Sequence, residues 1–390
     1  MISGSSPDPH PRPLPDPTTP APTLTGPDGV RLRAHRPDDV AGVLEQALDP
    51  LSQAQTTVPV PYLLEHAHEF VHEVLPAGWA SGSDWAFAIE ADGRFAGTVS
   101  LRDEGDGRAE IAYGAHPWVR GTGRVEAALR LLLDWGFAEH DLHTVVWLAN
   151  RGNWASRKLA WRLGFSFDGT LRQWLPQRGE LLDAWTGTLL RDDPREPRTT
   201  WLDCPVVEGG SVRLRPWRAD DAARVVEAGA DERTAYWLGN LPAPYTLADA
   251  EAYLEARTEG LATGTTISWA VADRASDVVL GSLTLFDLRA GVDAEIGYWV
   301  HPEARGRGVM TEATGLALDH AMRPGGALGL TRVRIAAAAD NRASRHVIEA
   351  QGARLVGVET GAVRCRDGMH DHAVYEVLAS DRTGRSSEAR

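Results

Sequence analysis

The chain has 390 residues, 43% of them hydrophobic, and its 40 basic and 54 acidic side chains give a formal net charge of −14. This length predicts two or three globular units, while the acidic balance argues against nucleic-acid binding and the lack of an apolar run of about 18 residues argues against a membrane-spanning helix. The single lysine, Lys158, does not follow a GxxxxG stretch, which excludes a P-loop nucleotide site, and the two cysteines cannot form a disulfide framework, as expected of a cytoplasmic protein.

The N-terminal residues 1–27 hold nine of the 24 prolines and have neither the basic start nor the apolar stretch of a secretory signal. Polar, proline-rich sequence of this kind cannot bury a core, so we predict a disordered tail up to residue 27. The C-terminal residues 381–390 have no apolar periodicity, and we predict a second disordered tail there.

Three motifs occur twice, in the same order. They are VRLRAHRPDD (30–39) and VRLRPWRADD (212–221), AEIAYGAHPWVRGTG (109–123) and AEIGYWVHPEARGRG (294–308), and NWASR (153–157) and NRASR (341–345). The offset between copies drifts only from 182 to 188 residues, so each half of the chain is one copy of the same domain. We place the two domains at residues 28–192 and 208–380, joined by a polar linker at 193–207.

Each copy contains the same predicted order of elements: strand, two helices, three strands, helix, strand, helix and strand. In the second copy these are VRLRPW, ADDAARVVEAGA, LADAEAYLEART, ISWAVAD, VLGSLTLFDL, AEIGYWVH, VMTEATGLALDHAMR, RVRIAAAA, ASRHVIEAQG and AVYEVLA. This order predicts an α/β (α+β) fold with a mixed, mostly antiparallel sheet in each half.

An R-G-x-G loop followed by an amphipathic helix is the most informative local feature of both copies. Glycines allow close approach of a ligand to the main chain, and the free N–H groups of a helix start suit a pyrophosphate. The alternative is an ordinary glycine turn with solvated arginines. A dinucleotide fingerprint fits less well, because the third glycine is missing. The predicted anion-binding residues are Arg120, Gly121, Thr122, Gly123, Arg124, Arg305, Gly306, Arg307, Gly308 and Val309.

The succession EIxYxxHP, RGxG and NxxSR, present in both copies, resembles the GNAT superfamily of acyl-CoA-dependent N-acetyltransferases, in particular its RimJ/RimL-like branch. The resemblance covers roughly residues 28–192 and 208–380. It implies two tandem acyl-CoA N-acyltransferase folds, each with helices on both faces of its sheet. It also implies acetyl-CoA as co-substrate, with the pyrophosphate lying over the two glycine loops.

Glu110 and Glu295 match the glutamate that this family places on the strand entering its cleft. Most aliphatic amines are protonated at neutral pH, so an attacking amine needs a general base. Strand alternation puts Glu110 on the face opposite Ile111 and Tyr113, where partial burial would raise the pKa of its carboxyl. The alternative for each glutamate is an ion pair with a neighbouring arginine.

A tyrosine that much of the superfamily uses to stabilise the departing thiolate, four residues before a G-F pair, is absent from both copies. The resemblance offers the serine of NxxS instead, which is Ser156 in the first copy and Ser344 in the second. Asn153 and Asn341 then either bind the coenzyme A arm or cap their helices. We predict no metal site, because His370 and His372 lack a third ligand at useful spacing.

Both copies keep the glutamate, the loop and the serine. At the sixth loop position, where the family usually has glycine or alanine, Val125 and Met310 either crowd the phosphates or face the core. The sequence therefore leaves open whether one or both copies are active, and whether the protein is a monomer or a homodimer.

The predicted function is transfer of an acetyl group from acetyl-CoA to a primary amine by direct attack. The leading acceptor is a protein N-terminal amine, as on a ribosomal protein. The alternatives are a small-molecule amine, such as an antibiotic or a thiol-cofactor precursor, and a non-catalytic acyl-CoA-binding protein. Nucleic acid and membrane are not expected as partners.

Overall fold

The computed structural model describes residues 21–382 and divides the chain into two units between Arg198 and Thr199. Most of the two predicted tails, residues 1–20 and 383–390, lies outside the described residues. Within the first predicted tail, Leu24–Thr25 forms a short strand that pairs with the following strand.

The first unit is built on one eight-stranded sheet of order β1-β2-β3-β4-β5-β6-β8-β7. All its neighbouring strands are antiparallel except β5 and β6, which are parallel. The strands are β1 Leu24–Thr25, β2 Arg31–Arg33, β3 Asp84–Ala91, β4 Arg94–Gly105, β5 Arg108–Ala115, β6 Thr144–Asn150, β7 Gly169–Gln177 and β8 Glu180–Leu190. The helices are α1 Val40–Leu48, α2 Pro50–Gln55, α3 Leu64–Glu69, α4 Leu75–Ser81, α5 Arg124–Glu139 and α6 Trp154–Arg162, with a π-helical turn at Phe70–Val74 joining α3 to α4.

The second unit repeats this topology with sheet order β9-β10-β11-β12-β13-β14-β16-β15, and its parallel pair is β13 with β14. The strands are β9 Val207–Glu208, β10 Val212–Arg215, β11 Ile267–Asp273, β12 Val279–Arg289, β13 Asp293–Val300, β14 Arg332–Ala338, β15 Arg354–Cys365 and β16 Gly368–Leu378. The helices are α7 Ala222–Ala230, α8 Glu232–Trp237, α9 Leu247–Ala262, α10 Val309–Ala321 and α11 Arg342–Ala350. The predicted mixed, mostly antiparallel sheet is confirmed in both units.

Helices pack on both faces of the first sheet. Successive strand residues point to opposite faces, and Phe95 joins an apolar cluster with α1 and α3 while its neighbour Ala96 joins the core beneath α5. The continuous apolar run of β3 is buried from Trp85 onward, as expected for a strand covered on both faces.

Two strands of each copy are missing from the order predicted from the sequence: the two-residue strands β1 and β9, and the long strands β7 and β15. Strands β7 and β15 form the outer edges of their sheets, where the sequence predicted only the single strands β8 and β16. The side chains of β15 are exposed along most of its length, and those of β7 are exposed or half-buried throughout. Neither strand alternates regularly between buried and exposed side chains, so its sequence lacks the alternating apolar pattern that predicts a strand.

The repeated VRLR and DD motifs meet in a buried ion pair. In the first unit Arg33 donates two hydrogen bonds to the carboxylate of Asp39, at 2.7 and 2.8 Å, and its Nε donates to Glu90 at 2.6 Å. In the second unit Arg215 donates to both oxygens of Asp221 at 2.8 Å. Each pair therefore fixes a strand to the turn that precedes the first helix of its unit.

Candidate active site

Each sheet opens between its two parallel strands. In the first unit β5 and β6 pair only as far as Ile111 and Trp147. Beyond that pair, β5 stays with β4 as far as Ala115, while β6 stays with β8 as far as Asn150. The carboxyl ends of the two strands therefore diverge and leave a cleft between them.

The second unit contains the same opening. Strands β13 and β14 pair as far as Ile296 and Ile335, and each continues beyond that point with its other neighbour. Ligands of α/β sheets bind outside the carboxyl ends of strands where neighbouring connections diverge. Both openings are therefore candidate ligand sites.

The glycine loops lie at the mouth of the openings. Gly121 and Gly123 have φ of 74° and 80°, and Gly306 and Gly308 have φ of 72° and 74°. A side chain at any of these four positions would strain the backbone. No heavy atom lies within 4 Å of a Cβ built on them, so within the described residues the loops face open space.

Helices α5 and α10 begin immediately after these loops without a side-chain cap in the described structure. The first N–H groups of a helix have no partner inside the helix, and without a cap they are available to an external acceptor. Left-handed glycines followed by a helix start form a concave array of main-chain donors that suits an anion. The arrangement fits a pyrophosphate held mainly by the backbone.

The first arginine of each loop is committed to protein contacts. Arg120 donates to the Asp49 carboxylate at 2.6 Å and to Ser52 Oγ at 2.9 Å, and Arg305 binds Asp231 in the same way. The hydrogen bond from Arg305 holds the pKa of Asp231 down at about 2. These guanidinium groups tie each loop to the junction of the first two helices of its unit, so they anchor the loop; their predicted contact with a phosphate stays a prediction.

The other predicted loop side chains also contact protein. Arg124 pairs with Asp92 at 2.6 Å, and Thr122 Oγ1 donates to the Val119 carbonyl at 2.7 Å. Hydrogen bonds from Ser276 are the main cause of the lowered pKa of Asp273, and the nearby charge of Arg307 lowers it further.

Aliphatic loop residues point inward. Val309 is only 4% exposed, so only its main chain is available to a ligand. Val125 and Met310, at the sixth loop position, are 9% and 5% exposed. The larger side chains at that position are therefore accommodated by the core, and they do not enter the space above the loop.

Glu110 stands one residue before the opening on β5. Its cross-strand partner is Arg102, whose Nη1 lies 3.2 Å from Glu110 Oε1. Burial raises the pKa of the Glu110 carboxyl above its ordinary value, and the Arg102 charge opposes that rise. Glu110 therefore shows both predicted features: an ion pair with a neighbouring arginine and a raised carboxyl pKa.

Glu295 occupies the equivalent position on β13 in different surroundings. Its cross-strand partners are Phe286 on β12 and Arg334 on β14, and among residues 21–382 neither Arg334 nor another basic group forms an ion pair with it. Burial raises the pKa of Glu295, and Arg334 and His372 oppose the rise from a distance. Glu295 is therefore the less constrained carboxylate of the two.

Replacing Arg102 tests whether its charge lowers the pKa of Glu110. Arg102→Met removes a cation that favours the charged form of Glu110, so the pKa of Glu110 rises and the acid limb of the pH–rate profile moves to higher pH. An exposed ion pair of this kind is worth up to about 1 kcal/mol, which corresponds to a shift of up to about 0.7 pH unit. The measurement is kcat/KM against pH in a Glu295→Gln background.

The matched control for that substitution is Arg108→Met, since Arg108 is an exposed arginine at the start of β5, the strand of Glu110, and its ion pair in the described structure is with exposed Asp106. We expect its acid limb to stay in place. An unchanged or lower acid limb in Arg102→Met would show that Glu110 does not control the rate.

Ser156 lies in the first turn of α6 and meets two side chains from the opening. Its Oγ is 2.7 Å from Tyr113 Oη and 3.0 Å from Trp147 Nε1. Asn153 Oδ1 accepts the Ser156 N–H at 3.1 Å and so caps the helix. The capping role that the sequence left open for Asn153 is present in the structure.

The second unit places Ser344 against Tyr298, with Oη 3.0 Å from Ser344 Oγ, and Asn341 caps α11 by accepting the Ser344 N–H at 3.1 Å. Sequence reasoning missed both tyrosines, although the tyrosine of EIxY occurs in both copies. The contact joins residues 46 positions apart, which no local pattern reveals.

The described residues contain neither a candidate metal site nor a helix that could span a membrane. Within residues 21–382 no three His, Cys, Asp or Glu side chains are grouped so as to hold a metal ion. His370 instead lies between Asp367 and Asp340, with nitrogen–oxygen distances of 2.8 and 3.2 Å. No helix in the described range is both long and apolar enough to cross a bilayer.

Comparison with known proteins gives a family match in each half. A family model described as acetyltransferase (GNAT) domain matches residues 30–166 and 211–354. The probable N-acetyltransferase YjcK of Bacillus subtilis (strain 168) is 24% identical over 181 residues, which is 45% of this chain and 98% of that protein. The putative ribosomal N-acetyltransferase YdaF of the same organism is 36% identical over 102 residues, 26% of this chain and 56% of that protein.

Among solved structures, Mycobacterium smegmatis RimJ in complex with CoA-disulfide is similar at 22% sequence identity with a TM-score of 0.40. The match covers 45% of this chain and 87% of that one.

Proposed function

This chain belongs to the GNAT acetyltransferase family and is an N-acetyltransferase, and on that premise we propose that it moves an acetyl group from acetyl-CoA to a primary amine, the N-terminal amine of a protein being the leading acceptor. The observation that carries the proposal is the opening between the parallel strands, with an uncapped helix start at its mouth and a half-buried glutamate beside it. Both units contain this arrangement, so we propose one acetyl-CoA site in each.

Acetyl-CoA fits the opening by its chemistry. Its pyrophosphate would lie over the main-chain donors at residues 121–125 and 306–310, where the glycines leave open space. Its pantetheine arm would extend between the diverging strands and bring the thioester near the last paired residues, Ile111 and Trp147 in the first unit.

The proposed reaction is direct attack by the acceptor nitrogen on the thioester carbonyl. Glu110 or Glu295 accepts a proton from the amine, for which a raised carboxyl pKa is favourable because it brings the base closer to the working pH. The carbon–sulfur bond then breaks with its electron pair on sulfur, giving the amide and coenzyme A.

The acceptor is proposed from charge and from one relative. Asp84 and Glu110 both pair with Arg102 near the first opening, and the charges of Glu104 and Asp84 help to raise the pKa of Glu110. An acidic rim favours a cationic amine. The name of YdaF, a putative ribosomal N-acetyltransferase, supports a protein N-terminus over a small-molecule amine. A panel of N-terminal peptides and small amines, followed by coenzyme A release, decides between them.

Calorimetric titration with acetyl-CoA tests the two sites directly. We expect a stoichiometry of two for the unaltered chain and of one for Gly123→Asp or Gly308→Asp. Each substitution strains a left-handed backbone position and sets a carboxylate a few ångströms from the pyrophosphate, a repulsion of about 3 kcal/mol that weakens binding at that site by about 100-fold. The double variant should not bind at the concentrations used.

The matched controls are Gly105→Asp and Gly291→Asp. These glycines also have left-handed φ, of 72° and 74°, and open space around them, but they lie in the hairpin turns at the other end of β5 and β13. We expect both controls to bind two molecules. Failure of the unaltered chain to bind acetyl-CoA would overturn the proposed donor. Full binding by the double variant would overturn the proposed site.

A further inference from the structure

Three side chains meet across the opening of the first unit. Tyr113 comes from β5 two residues beyond the last pair, Trp147 is the last paired residue of β6, and Ser156 is in the first turn of α6. Trp147 Nε1 lies 3.0 Å from Ser156 Oγ and 3.2 Å from Tyr113 Oη, and the two hydroxyl oxygens are 2.7 Å apart. The cluster therefore bridges two strands that no longer pair with each other.

The donors and distances favour one direction for these hydrogen bonds. An indole N–H only donates, and a phenol has one hydrogen to give. The other acceptor near Tyr113 Oη is the Ser156 carbonyl at 3.4 Å, which is a much longer contact than the 2.7 Å to Ser156 Oγ. We therefore assign both the Trp147 N–H and the Tyr113 O–H as donors to Ser156 Oγ.

This assignment leaves the serine hydroxyl one remaining role. Its oxygen has two lone pairs, and both are occupied by the incoming hydrogen bonds, so its own hydrogen is directed away from the cluster. Burial raises the pKa of Tyr113 to about 12, so the phenol keeps its proton across the neutral range and remains a donor. Ser156 is thus held as a hydrogen-bond donor.

We propose that Tyr113 and Trp147 are positioning residues, which hold the Ser156 hydroxyl as a hydrogen-bond donor to the sulfur of the departing coenzyme A. This inference rests on the proposed function, since it needs coenzyme A in the first opening. When the carbon–sulfur bond breaks, its electron pair stays on sulfur, and the sulfur accepts a hydrogen bond from Ser156. No proton leaves Tyr113, and the thiolate later takes its proton from solvent.

The second unit has the tyrosine of this cluster but not the tryptophan. Ile335 stands where the first unit has Trp147, so Ser344 has no indole donor. Tyr298 Oη lies 3.0 Å from Ser344 Oγ and 3.1 Å from the Ser344 carbonyl, so its single hydrogen has two acceptors at nearly equal distance. Among residues 21–382 no second donor reaches Ser344 Oγ, so its hydroxyl is not constrained to donate. The proposal is therefore confined to the first unit.

The test measures the pKa of the thiol of bound coenzyme A, which needs neither turnover nor an acceptor. Coenzyme A is bound to a Gly308→Asp chain, in which only the first opening binds it, and the ultraviolet absorbance of the thiolate is followed against pH. A hydrogen bond to sulfur stabilises the thiolate, so the thiol pKa should lie below that of free coenzyme A. We expect Ser156→Ala, Tyr113→Phe and Trp147→Phe each to raise it, Ser156→Ala by about one pH unit or more.

A matched control and a second ligand keep the outcome unambiguous. Tyr62→Phe makes the same chemical change at a buried tyrosine of the α1–α3 cluster, and its thiol pKa should equal that of the unaltered site. Desulfo-coenzyme A should bind all variants with the same affinity, which shows that the site is intact. Should the larger Trp147→Phe change disturb folding, Tyr113→Phe removes a single oxygen atom and decides the question.

The possible failures are distinguishable. If coenzyme A does not bind the unaltered protein, the proposed function fails. If it binds with normal affinity but its thiol pKa is the same in the unaltered site, Tyr113→Phe and Ser156→Ala, then the positioning role is wrong while the proposed function stands.

Discussion

Replacing Glu110 and Glu295 together by glutamine lowers kcat/KM for acetyl transfer by about 100- to 10,000-fold, the usual contribution of a positioned general base. Glutamine has nearly the same shape but cannot accept a proton from the acceptor amine, so the chemical step slows while acetyl-CoA binding is retained. Steady-state release of coenzyme A, with calorimetric acetyl-CoA binding on the same samples, separates these two effects.

The pH profile of the unaltered protein gives an independent expectation. Burial raises the pKa of both glutamates, so the acid limb of the rate lies above the range of an exposed glutamate. The deprotonated form is active, and the rate therefore falls as pH drops through the raised pKa. This limb should disappear in the double variant, whose remaining rate no longer depends on either carboxyl.

The control for the double variant is Glu180→Gln with Glu251→Gln, because both are exposed glutamates outside the openings. We expect the control to keep the full rate and the acid limb. A double variant of Glu110 and Glu295 that retains full activity would exclude both carboxylates as bases and would leave the family assignment untouched.

The single variants compare the two units. Arg102 holds Glu110 in an ion pair at 3.2 Å, whereas Glu295 lies between Phe286 and Arg334 on the neighbouring strands and forms no ion pair in the described part of the chain. An unpaired carboxylate accepts a proton more readily, so Glu295→Gln should cost more of the total rate than Glu110→Gln. The first unit has the better constrained serine, and the second has the less constrained glutamate.

The sequence predicted those parts of the site that lie in short contiguous motifs. The glycine loops and the two glutamates could be proposed as site residues because each belongs to a short motif of neighbouring residues that occurs twice. The anchoring of Arg120 by Asp49 joins residues 71 positions apart, and Tyr113 meets Ser156 across 43 positions. Such contacts follow from packing of the whole domain, and no local sequence pattern reveals them.

In the fold, too, the elements with a clear local sequence pattern were predicted and those without one were not. The strands with continuous or alternating apolar patterns were predicted, and the fold class followed from their order. Strands β7 and β15 were missed because an exposed edge strand is stabilised by main-chain pairing with one neighbour and needs no apolar periodicity. The repeated VRLR and DD motifs were recognised as a repeat, but their role as a buried ion pair became visible only in three dimensions.

The buried pair of the second unit should be the most sensitive point for stability outside the cores. Arg215→Met leaves the carboxylate of Asp221, only 7% exposed, without its cationic partner. Breaking a buried ion pair by removing one partner costs about 3–5 kcal/mol, a large part of the roughly 5–15 kcal/mol that stabilises a typical domain. We expect the midpoint of thermal unfolding of this unit to fall by about 10 °C, measured by scanning calorimetry.

Two further variants show whether the uncompensated charge is the cause. Arg215→Met combined with Asp221→Asn removes both charges and keeps an oxygen that can accept the Arg218 N–H, so it should recover much of the loss. Arg218→Ala removes only a half-exposed partner of Asp277 and should cost less than about 1 kcal/mol. If the double variant were as unstable as Arg215→Met alone, the effect would come from lost packing of the arginine stem rather than from the buried carboxylate, and the repeated motif would stabilise the fold by its shape and not by its charge.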